Sequence, residues 1–456
     1  YPFNAPKQGY HEQDPEQIWQ AFIESIKVII SQTGAPPLAI SLSSAMHSFI
    51  AVDKNGNALA PMMTWADNRS AEIAIDVRAS NLGMSIYKAT GTPIHSMSPL
   101  CKLIWLREND PELFHKAHKF ISIKEYIWHK LFNEFVIDYS IASSTGLFNI
   151  TNFEWHEEAL KLAEIKADAV SKPVSTDYSK TSSALDFLNK NVPFVIGASD
   201  GCLANLGSMA TEPGIAAMTI GTSGAVRVAS NKPLPNTEAM TFSYILDKNT
   251  YICGGPINNG GVAMQWWVKN TAGANATEKD YEHIFSQIEK VPAGSNGLIF
   301  LPYLTGERAP IWDSESCGNF FGVKLQHTQA DFSRAVLEGI CFAMRDVLDA
   351  VQENSEPIKQ INISGGFTKS EIWVQTLADI TGKKLAILQA DDASAVGAAF
   401  IALKLIGALK EYPKASDDLI IYQPNPGNRD VYSRNFSIYK QLYTDLKATM
   451  HRVYKA

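Results

Sequence analysis

The stretch QINISGGFTKSEIWVQTLAD, residues 360–379, sets the expected fold of this chain. Residues 360–364 predict a strand, the pair Gly365-Gly366 predicts a tight turn, and the residues that follow predict a helix. Thr368 and Glu371 have the spacing of a capping box, which marks the start of that helix. A strand that passes through a glycine turn into a helix is typical of α/β proteins.

The same succession of elements recurs along the chain. Residues 193–206 predict a short apolar strand, a glycine turn and a helix. Residues 215–229 predict two strands joined by a tight turn. Long helices are expected near residues 260–290 and 328–352. These elements predict two α/β lobes, which we expect to be joined near residues 209–214.

The first part of the chain predicts a helix followed by a hairpin. Asp14 suits the N-cap of the helix, and Pro15 suits its first position. Apolar residues recur at every fourth position and predict one buried stripe: Ile18, Phe22, Ile26 and Ile30. Residues 38–43 and 48–52 predict two strands, which we expect to pair with each other.

Length and composition limit the class of protein. The chain has 456 residues, which suggests two or three domains because single cores rarely grow to that size. Hydrophobic residues make up 45% and charged residues 19%, a composition that excludes intrinsic disorder and favours large buried cores. The net charge of −7 argues against nucleic acid as a partner. No block rich in Lys and Arg occurs, which argues against binding to a membrane surface.

Cysteine usage and hydropathy bear on the location of the protein. The cysteines are scattered and odd in number, which disfavours a disulfide framework or a structural zinc site: Cys101, Cys202, Cys253, Cys317 and Cys341. The longest apolar stretch, residues 393–409, contains Lys404 and two glycines and predicts a buried helix. We therefore expect a cytoplasmic protein, and a homodimer on base rate alone.

Four glycine-rich turns lie at the ends of apolar strands or before helices, at residues 197–201, 221–224, 254–261 and 365–366. Backbone N–H groups in such turns can approach a polyphosphate, and a helix N-terminus adds a favourable partial charge. The alternative is that α/β proteins need glycine at turns in any case. The chain lacks G-x-G-x-x-G after a strand and G-x-x-x-x-G-K-[ST], which weighs against Rossmann dinucleotide binding and P-loop chemistry.

Asp200 stands at the carboxyl end of a predicted strand and at the start of a predicted helix. As a structural residue it would be an N-cap. As a catalyst it would be a base, kept ionised by the helix N-terminus, that accepts the proton of an attacking hydroxyl. The spacing alone leaves both interpretations open.

Polar residues interrupt the apolar strands of the first lobe. Residues 43–48 include Met46 and His47, and such an interruption suits a small polar ligand. Trp65 offers a flat apolar wall for the CH face of a polyol, and Arg69 offers a partner for a carboxylate. The alternative is a core Met and His, an anchoring Trp and a surface ion pair.

Two long motifs resemble the signatures of one family. Residues 97–109, MSPLCKLIWLREN, resemble the first signature of the FGGY carbohydrate kinases, which belong to the actin–hexokinase–Hsp70 superfamily. Residues 365–379, with Gly382, resemble the second signature. The resemblance extends from Gly9 to the C-terminal helix. It implies a two-lobed α/β fold of the ribonuclease H-like type, with an ATP cleft between the lobes.

The resemblance also implies a domain layout. Residues 1–208 correspond to the sugar-binding N-terminal domain, and residues 209–456 correspond to the nucleotide-binding C-terminal domain. Members of the family begin with a β-hairpin whose Asp-x-Gly-Thr loop holds Mg²⁺ and the transferring phosphate. The present sequence starts after that hairpin, and we expect the hairpin to precede it in the complete protein. The metal ligands are therefore left unassigned.

Within the family, several runs are most similar to those of members that phosphorylate gluconate: residues 43–48, 95–102, 139–147, 197–201 and 254–261. This likeness implies ATP- and Mg²⁺-dependent phosphorylation of D-gluconate to 6-phosphogluconate. Xylulose, ribulose or glycerol as the substrate is the alternative within the family. A non-catalytic nucleotide-binding protein of the same fold is the alternative from another class.

The resemblance assigns roles to individual residues. Asp200 corresponds to the catalytic base, in contact with the substrate. The positions that correspond to nucleotide contacts are Gly221, Thr222, Gly261, Gln265, Gly365, Gly366 and Ser370. The positions that correspond to the sugar site are Met46, His47, Trp65 and Met97. The helix at residues 391–409 corresponds to a closing helix of the family, and we expect Arg69 or His47 to meet the charge of an anionic sugar.

Overall fold

The computed structural model describes residues 2–388, 392–414 and 419–454. Its α-helices are α1 (Pro15–Thr33), α2 (Ala71–Ala79), α3 (Asn81–Thr90), α4 (Pro99–Asn109), α5 (Pro111–Lys116), α6 (Ile123–Phe132), α7 (Tyr139–Ser143), α8 (Glu157–Ala163), α9 (Asp200–Gly207), α10 (Gly261–Ala272), α11 (Glu278–Ile288), α12 (Gln329–Gln352), α13 (Glu371–Thr381), α14 (Ala393–Leu405) and α15 (Arg429–Tyr454).

The strands, which are mostly short, are β1 (Glu12–Gln13), β2 (Ile40–Ser44), β3 (Ile50–Val52), β4 (Met62–Met63), β5 (Lys119–Ile121), β6 (Val136–Asp138), β7 (Phe148–Asn149), β8 (Glu154–Trp155), β9 (Lys172–Val174), β10 (Ser179–Lys180), β11 (Phe194–Ser199), β12 (Ile215–Ile220), β13 (Gly224–Ser230), β14 (Phe242–Asp247), β15 (Thr250–Ile257), β16 (Ile299–Leu301), β17 (Asn319–Phe321), β18 (Gln360–Ser364), β19 (Lys384–Ile387) and β20 (Ile420–Tyr422).

The chain forms two compact units, each made of separate segments. The first consists of Tyr1–Gly207, Ser230–Ile252 and Asp392–Pro413. The second consists of Ser208–Ala229, Cys253–Asp391 and Lys414–Ala456. The domain boundary expected between residues 208 and 209 stays a prediction. Within the described ranges, no helix is both long and apolar enough to cross a membrane.

A small sheet in the order β10-β11-β2 lies at the centre of the first unit. Strand β11 runs parallel to β2 and antiparallel to β10. Helices α1 and α6 bury their apolar faces in one cluster with the sheet, which includes Leu42, Trp128 and Phe194. As predicted, the Asp14 carboxylate caps α1, where it accepts a hydrogen bond of 2.8 Å from the backbone N–H of Glu16.

The hairpin expected from residues 38–43 and 48–52 does not form. Its first strand, β2, pairs with β11, and its second strand, β3, pairs antiparallel with β5. Between them the chain turns at His47, whose φ of 65° lies in the left-handed region. The prediction was wrong because the strand pattern is local, whereas both partners lie much further along the chain.

The predicted glycine turn at residues 197–201 is partly strand. Gly197 lies inside β11 with a φ of 67°, at a register shift where a Cβ would clash with the backbone of β2. The strand then continues through Ser199, and Asp200 follows as the first residue of α9. This bulge fixes where the strand delivers Asp200.

Helix α9 packs closely on α14, because a Cβ on Gly207 or Gly397 would clash with the backbone of the facing helix. Helix α14 lies within the closing helix expected at residues 391–409 but ends at Leu405. Asp391, the first residue of that prediction, lies outside the described residues. The close packing holds α9, and with it the backbone of Asp200, firmly in the first unit.

A larger mixed sheet forms the second unit, with β15, β13, β12, β18, β19 and β20 side by side in that order. As predicted, β12 and β13 form an antiparallel hairpin, and β12 also runs parallel to β18. Thr219 lies opposite Ser364 in the register. The turns at Gly221 and Gly365 therefore leave the same edge of the sheet.

The start of α13 differs from the prediction. A 3₁₀ turn at Gly366–Lys369 follows β18, and α13 begins at Glu371 with Ser370 as its N-cap residue. The predicted capping box was wrong, because the hydroxyl of Thr368 instead donates to the carbonyl of Gly365 at 2.8 Å. That hydrogen bond closes the 3₁₀ turn, and the N-cap of α13 lies two residues later than predicted.

Candidate active site

The turn after β12 is hydrogen-bonded to the start of α10. The backbone N–H of Gly261 donates to the carbonyl of Gly221 at 2.7 Å, and that of Val262 donates to the carbonyl of Thr222 at 3.1 Å. A Cβ on Gly261 would lie 2.7 Å from the carbonyl oxygen of Gly221. Glycine therefore permits this close approach, which joins two of the predicted phosphate turns into one backbone surface.

A buried carboxylate holds the segment that enters α10. Glu307, only 3% exposed, accepts hydrogen bonds from the backbone N–H groups of Asn258 and Arg308 and, at 3.1 Å, from the side-chain amide of Asn259. The Asn259 side-chain oxygen, Oδ1, in turn accepts from the backbone N–H of Thr305 at 3.2 Å. Burial raises the pKa of Glu307, while these donors favour its ionised form.

A cavity of about 820 Å³ opens beside this backbone surface. Its wall includes four of the predicted nucleotide residues: Gly221, Gly261, Gly366 and Ser370. The rest of the wall includes three aromatic side chains, those of Tyr281, Phe285 and Trp373, and four Glu side chains. The buried hydroxyl of Ser370 has no hydrogen-bond partner within the described part of the chain. Aromatic side chains with such a polar atom suit a nucleoside.

Three predicted nucleotide residues lie outside that wall. Gly365 is beside it, with a φ of 115°, where a Cβ would clash with the carbonyl of Ile220. Thr222 is exposed and accepts the Val262 hydrogen bond through its carbonyl. Gln265 is exposed on α10. The structure therefore brings the glycine turns together but does not place Gln265 on the cavity surface.

In the first unit, a second cavity of about 390 Å³ lies at the ends of β2 and β4. Met46 and Trp65, two of the predicted sugar residues, lie on its wall. Ser43 and Ser44 contribute hydroxyl groups to the same wall. The Trp65 side chain is 48% exposed and so presents an accessible indole face. This combination of hydroxyls and a flat apolar face suits a polyol.

The other two predicted sugar residues lie deeper. His47 is buried, and its Nδ1 lies 2.9 Å from the carbonyl oxygen of Ser144. His47 also lines a third, minor cavity. Met97 is buried just before α4 and lies on neither wall as described. The structure therefore brings Met46 and Trp65 to one cavity and leaves His47 and Met97 behind it.

Asp200 is half-buried at the start of α9, and its Oδ1 accepts from the backbone N–H of Gly201 at 2.7 Å. The residue before it is tightly held: the hydroxyl of Ser140 donates to the hydroxyl of Ser199 at 2.9 Å and accepts from its backbone N–H at 3.0 Å. The carboxylate thus stands on a rigid strand end. Such rigidity favours precise positioning of a reacting group.

Arg69 is occupied by carboxylates. Its guanidinium contacts both oxygens of Asp67, at 2.7 and 2.9 Å, and it pairs with Glu12. The group also lies 3.6 Å from the ring centroid of Tyr10. Arg69 is not on the described wall of the cavity. It therefore fits the alternative of an ion pair better than the expected partner of a substrate.

Two family models match the chain. The model of the N-terminal domain of the FGGY family of carbohydrate kinases matches residues 1–207, and that of the C-terminal domain matches residues 216–405. The chain belongs to the FGGY family of carbohydrate kinases. The predicted family is thereby confirmed, as is the mixed α/β fold with two domains that it shares with sugar kinases of the actin–hexokinase type.

Individual relatives of this FGGY kinase act on different sugars. The chain is 40% identical to the gluconokinase of Bacillus subtilis (strain 168) over 431 residues, which cover 91% of this chain and 84% of that protein. A gluconate kinase from Lactobacillus acidophilus has a TM-score of 0.94 at 32% identity. A ligand-bound xylulose kinase from the same organism has a TM-score of 0.94 at 33% identity. Each structure covers 99% of this chain, which covers 93% of each.

These findings make the protein a carbohydrate kinase, a transferase of phosphoryl groups to an alcohol. FGGY kinases use ATP as the phosphoryl donor. The neighbours named for gluconate and for xylulose match the fold equally well. The fold alone therefore does not select the sugar.

Sequence reasoning missed several buried charges of this FGGY kinase, including three next to the candidate sites. Lys124 lies on the wall of the cavity that Met46 and Trp65 line, and its ammonium is 2.8 Å from Asp138. Burial lowers the pKa of Lys124, and the nearby carboxylates of Asp138 and Asp200 oppose that shift. Glu307 and Lys102 are the others. A signal was present for Lys102, a charge inside the apolar run of residues 99–106.

Proposed function

We propose that this FGGY kinase transfers the γ-phosphoryl group of ATP to the 6-hydroxyl of D-gluconate and releases 6-phosphogluconate and ADP. The observation that carries the proposal is the 40% identity to the Bacillus subtilis gluconokinase over 91% of the chain. The similarity to a xylulose kinase supports the second candidate, phosphorylation of xylulose. Both candidates use the same nucleotide site and the same base.

The proposed nucleotide site is the larger cavity and the glycine turns beside it. The aromatic wall and the buried Ser370 hydroxyl suit the adenosine part of ATP. The joined turns at Gly221 and Gly261, with the N-terminus of α10, suit its phosphates. The proposed contacts are those predicted from the sequence: Gly221, Thr222, Gly261, Gln265, Gly365, Gly366 and Ser370.

Mg²⁺, when bound, would neutralise the charge that develops on the transferring phosphate. Among the residues that the structure describes, no group of three or more His, Cys, Asp or Glu side chains is arranged to hold a metal ion. Mg²⁺ is often held by one or two carboxylates with phosphates and water, so the chain suits an ion that arrives with the nucleotide. We assign it no protein ligand.

Asp200 is the proposed general base. Its carboxylate would accept the proton of the substrate's 6-hydroxyl as that oxygen attacks the γ-phosphorus. A bond forms between the sugar oxygen and phosphorus, the bond from phosphorus to the β,γ-bridging oxygen breaks, and ADP leaves. The rigid strand end behind Asp200, fixed by the Ser140–Ser199 contact, supports this role because the transfer depends on positioning.

The proposed sugar site comprises Met46, His47, Trp65 and Met97, with Asp200 at the reacting end. Met46 and Trp65 would contact the sugar from the cavity wall, and His47 and Met97 would support them from behind. Arg69 is engaged by two carboxylates and His47 lies behind the wall, so neither of the two expected partners of the gluconate carboxylate is on the described wall of this cavity.

We also propose a cytoplasmic enzyme, which the scattered and odd-numbered cysteines of the sequence support. A homodimer stays an expectation from base rate. Light scattering on the purified complete protein measures the oligomeric state directly.

Release of ADP from Mg-ATP tests the proposed function. The complete protein is assayed with gluconate, xylulose, ribulose, glycerol, glucose and no sugar. We expect kcat/KM for gluconate to exceed that for every other sugar by at least tenfold. A larger value for xylulose would replace the substrate and keep the enzyme class. No sugar-dependent ADP release at all would favour the non-catalytic alternative.

A further inference from the structure

Lys102 is a lysine without exposure to solvent, on the helix α4 of the first signature. Its ammonium donates hydrogen bonds to two backbone carbonyls, that of His47 at 2.6 Å and that of Thr64 at 2.7 Å. These carbonyls belong to different segments, one after β2 and one after β4. One buried charge thus joins two loops that are distant in sequence.

Both loops carry the candidate sugar-site residues. Met46 directly precedes His47, and Trp65 directly follows Thr64. Met46 and Trp65 lie on the wall of the cavity of about 390 Å³ in the first unit. The ammonium therefore holds the backbone one residue away from each of these two side chains, although it does not itself reach the cavity wall described for them.

The His47 loop needs such support. A φ of 65° is unfavourable for a residue with a Cβ and persists only where the surroundings impose it. Two contacts do so at His47: its ring nitrogen faces the Ser144 carbonyl, and its own carbonyl faces Lys102. The start of α4 is fixed to the segment that contains Ser144, since Leu100 donates its backbone N–H to the carbonyl of Thr145 at 3.0 Å.

A lysine is a costly choice for a merely structural position. Burial lowers the pKa of Lys102 to about 7, a shift that the nearby Asp67 and Cys101 oppose and Arg69 reinforces. An apolar side chain of similar size would avoid this desolvation cost. An apolar side chain, however, could not donate hydrogen bonds to the two carbonyls. The bridge between these carbonyls is therefore what a lysine provides at this position.

We propose that Lys102 is a positioning residue that fixes the distance between the Met46–His47 loop and the Thr64–Trp65 loop and thereby shapes the sugar site. The inference rests on the proposed function, because it takes these two loops to bind the sugar. It goes beyond that function because it assigns substrate affinity to a residue that would not touch the substrate.

The variant Lys102→Met tests this role through the separation of two Michaelis constants. Loss of the bridge should raise KM for the sugar at least tenfold and leave KM for ATP within twofold. The sugar in this assay is whichever one the unmodified enzyme phosphorylates best. A failure of gluconate as the substrate is thereby distinguished from a failure of the bridge.

Lys119→Met is the matched control. Lys119 also donates to two backbone carbonyls, those of Asp168 at 2.6 Å and Val170 at 3.2 Å, but neither residue is on the described wall of the cavity that Met46 and Trp65 line. This variant should lose stability while both Michaelis constants stay within twofold. An equal rise of the sugar KM in both variants would reduce Lys102 to a general stabilising residue and overturn the proposal.

Lys102→Gln provides a second variant in case Lys102→Met does not fold. The amide nitrogen of Gln donates two hydrogen bonds without a charge, so a shortened bridge remains. We expect its sugar KM to lie between those of the unmodified enzyme and Lys102→Met. If Lys102→Met does not fold, we expect the sugar KM of Lys102→Gln to be at least threefold above that of the unmodified enzyme. A sugar KM unchanged in a folded variant at this position would overturn the proposal, as would inactivity of the unmodified enzyme toward every sugar.

Discussion

The candidate sugar site of the first unit and the candidate nucleotide site of the second each have a buried charge behind them, and the two charges have opposite signs. In the first unit the Lys102 ammonium donates to two carbonyls. In the second the Glu307 carboxylate accepts from two backbone N–H groups and the Asn259 amide. Each charge lies outside the described wall of its candidate cavity and contacts the backbone close to the residues that would meet the ligand.

The difference in sign follows from the backbone at each place. The segment before α10 and the residue after Glu307 present backbone N–H groups, those of Asn258 and Arg308, which need an acceptor. Glu307 is that acceptor, whereas the first N–H groups of α10 donate to the carbonyls of the turn after β12. The loops after β2 and β4 instead present backbone carbonyls, those of His47 and Thr64, which need a donor. The chain thus uses the charge that each local surplus demands.

The variant Asp200→Asn gives the largest expected effect. It tests the proton transfer separately from the two buried charges, Lys102 and Glu307. Asn keeps the size of Asp and its acceptor oxygen toward the Gly201 N–H, but it cannot take the proton of the attacking hydroxyl. We expect kcat to fall by about 10²- to 10⁴-fold. Both Michaelis constants should stay within a few-fold, because neither buried charge is changed. Steady-state kinetics with gluconate and Mg-ATP measures all three constants.

Turnover of Asp200→Asn within tenfold of the unmodified enzyme would remove Asp200 from the role of base and leave it as the structural start of α9. Retained ATP binding, measured by calorimetry, is the control for folding. Its loss would show that the change disturbs more than the proton transfer.

Glu307→Gln is the counterpart of Lys102→Met on the nucleotide side. Gln keeps the shape but loses the charge, and its NH₂ group cannot accept from the donors that face it. We expect KM for ATP to rise about tenfold, equivalent to about 1.4 kcal/mol, and KM for the sugar to stay within twofold. Glu307→Gln should therefore raise KM for ATP, whereas Lys102→Met should raise KM for the sugar.

Glu338→Gln is the control for that variant. Glu338 is also buried in the second unit and accepts a backbone N–H, that of Gly294, at 2.9 Å. It is not on the described wall of the larger cavity. Its replacement should lower stability without a change in KM for ATP. If both variants raise that constant equally, the comparison between the two sides fails.

How far the sequence alone reaches depends on whether an element is local. The Asp14 cap, the β12–β13 hairpin and the order of strand and helix around Asp200 depend on neighbouring residues, and they were predicted. The pairing of residues 38–43 was not, because its register is set by β11. The box at Thr368 failed because a competing local hydrogen bond closes the turn.

The candidate sites show the same division. The glycine turns could be found because glycine is visible in the sequence, and the structure joins Gly221 to Gly261. The roles of Lys102 and Glu307 could not be found in this way, because both depend on backbone groups of distant segments. A charged residue in a sequence is usually at the surface. The apolar run of residues 99–106 signals that Lys102 is buried, but only the tertiary contacts show which groups it and Glu307 meet.

The pH dependence of stability distinguishes the two charges by sign, in the smallest of the expected effects. The folded state gives up the proton of Lys102 near pH 7, where the unfolded chain keeps it to about pH 10.5. The unfolded state then binds more protons, so the stability of the unmodified protein relative to Lys102→Met should rise with pH. We expect about 1 kcal/mol between pH 7 and pH 8, measured by urea unfolding.

Glu307 should give the opposite slope. Burial raises its pKa above the usual 4.5, with Arg308 opposing the shift and the buried Tyr303 and Tyr439 nearby. The folded state therefore holds the proton at pH values where the unfolded chain has lost it. Relative to Glu307→Gln, the unmodified protein should lose stability as the pH rises above 4.5. Slopes of the same sign in both comparisons would show that at least one of these charges is not held as the structure places it.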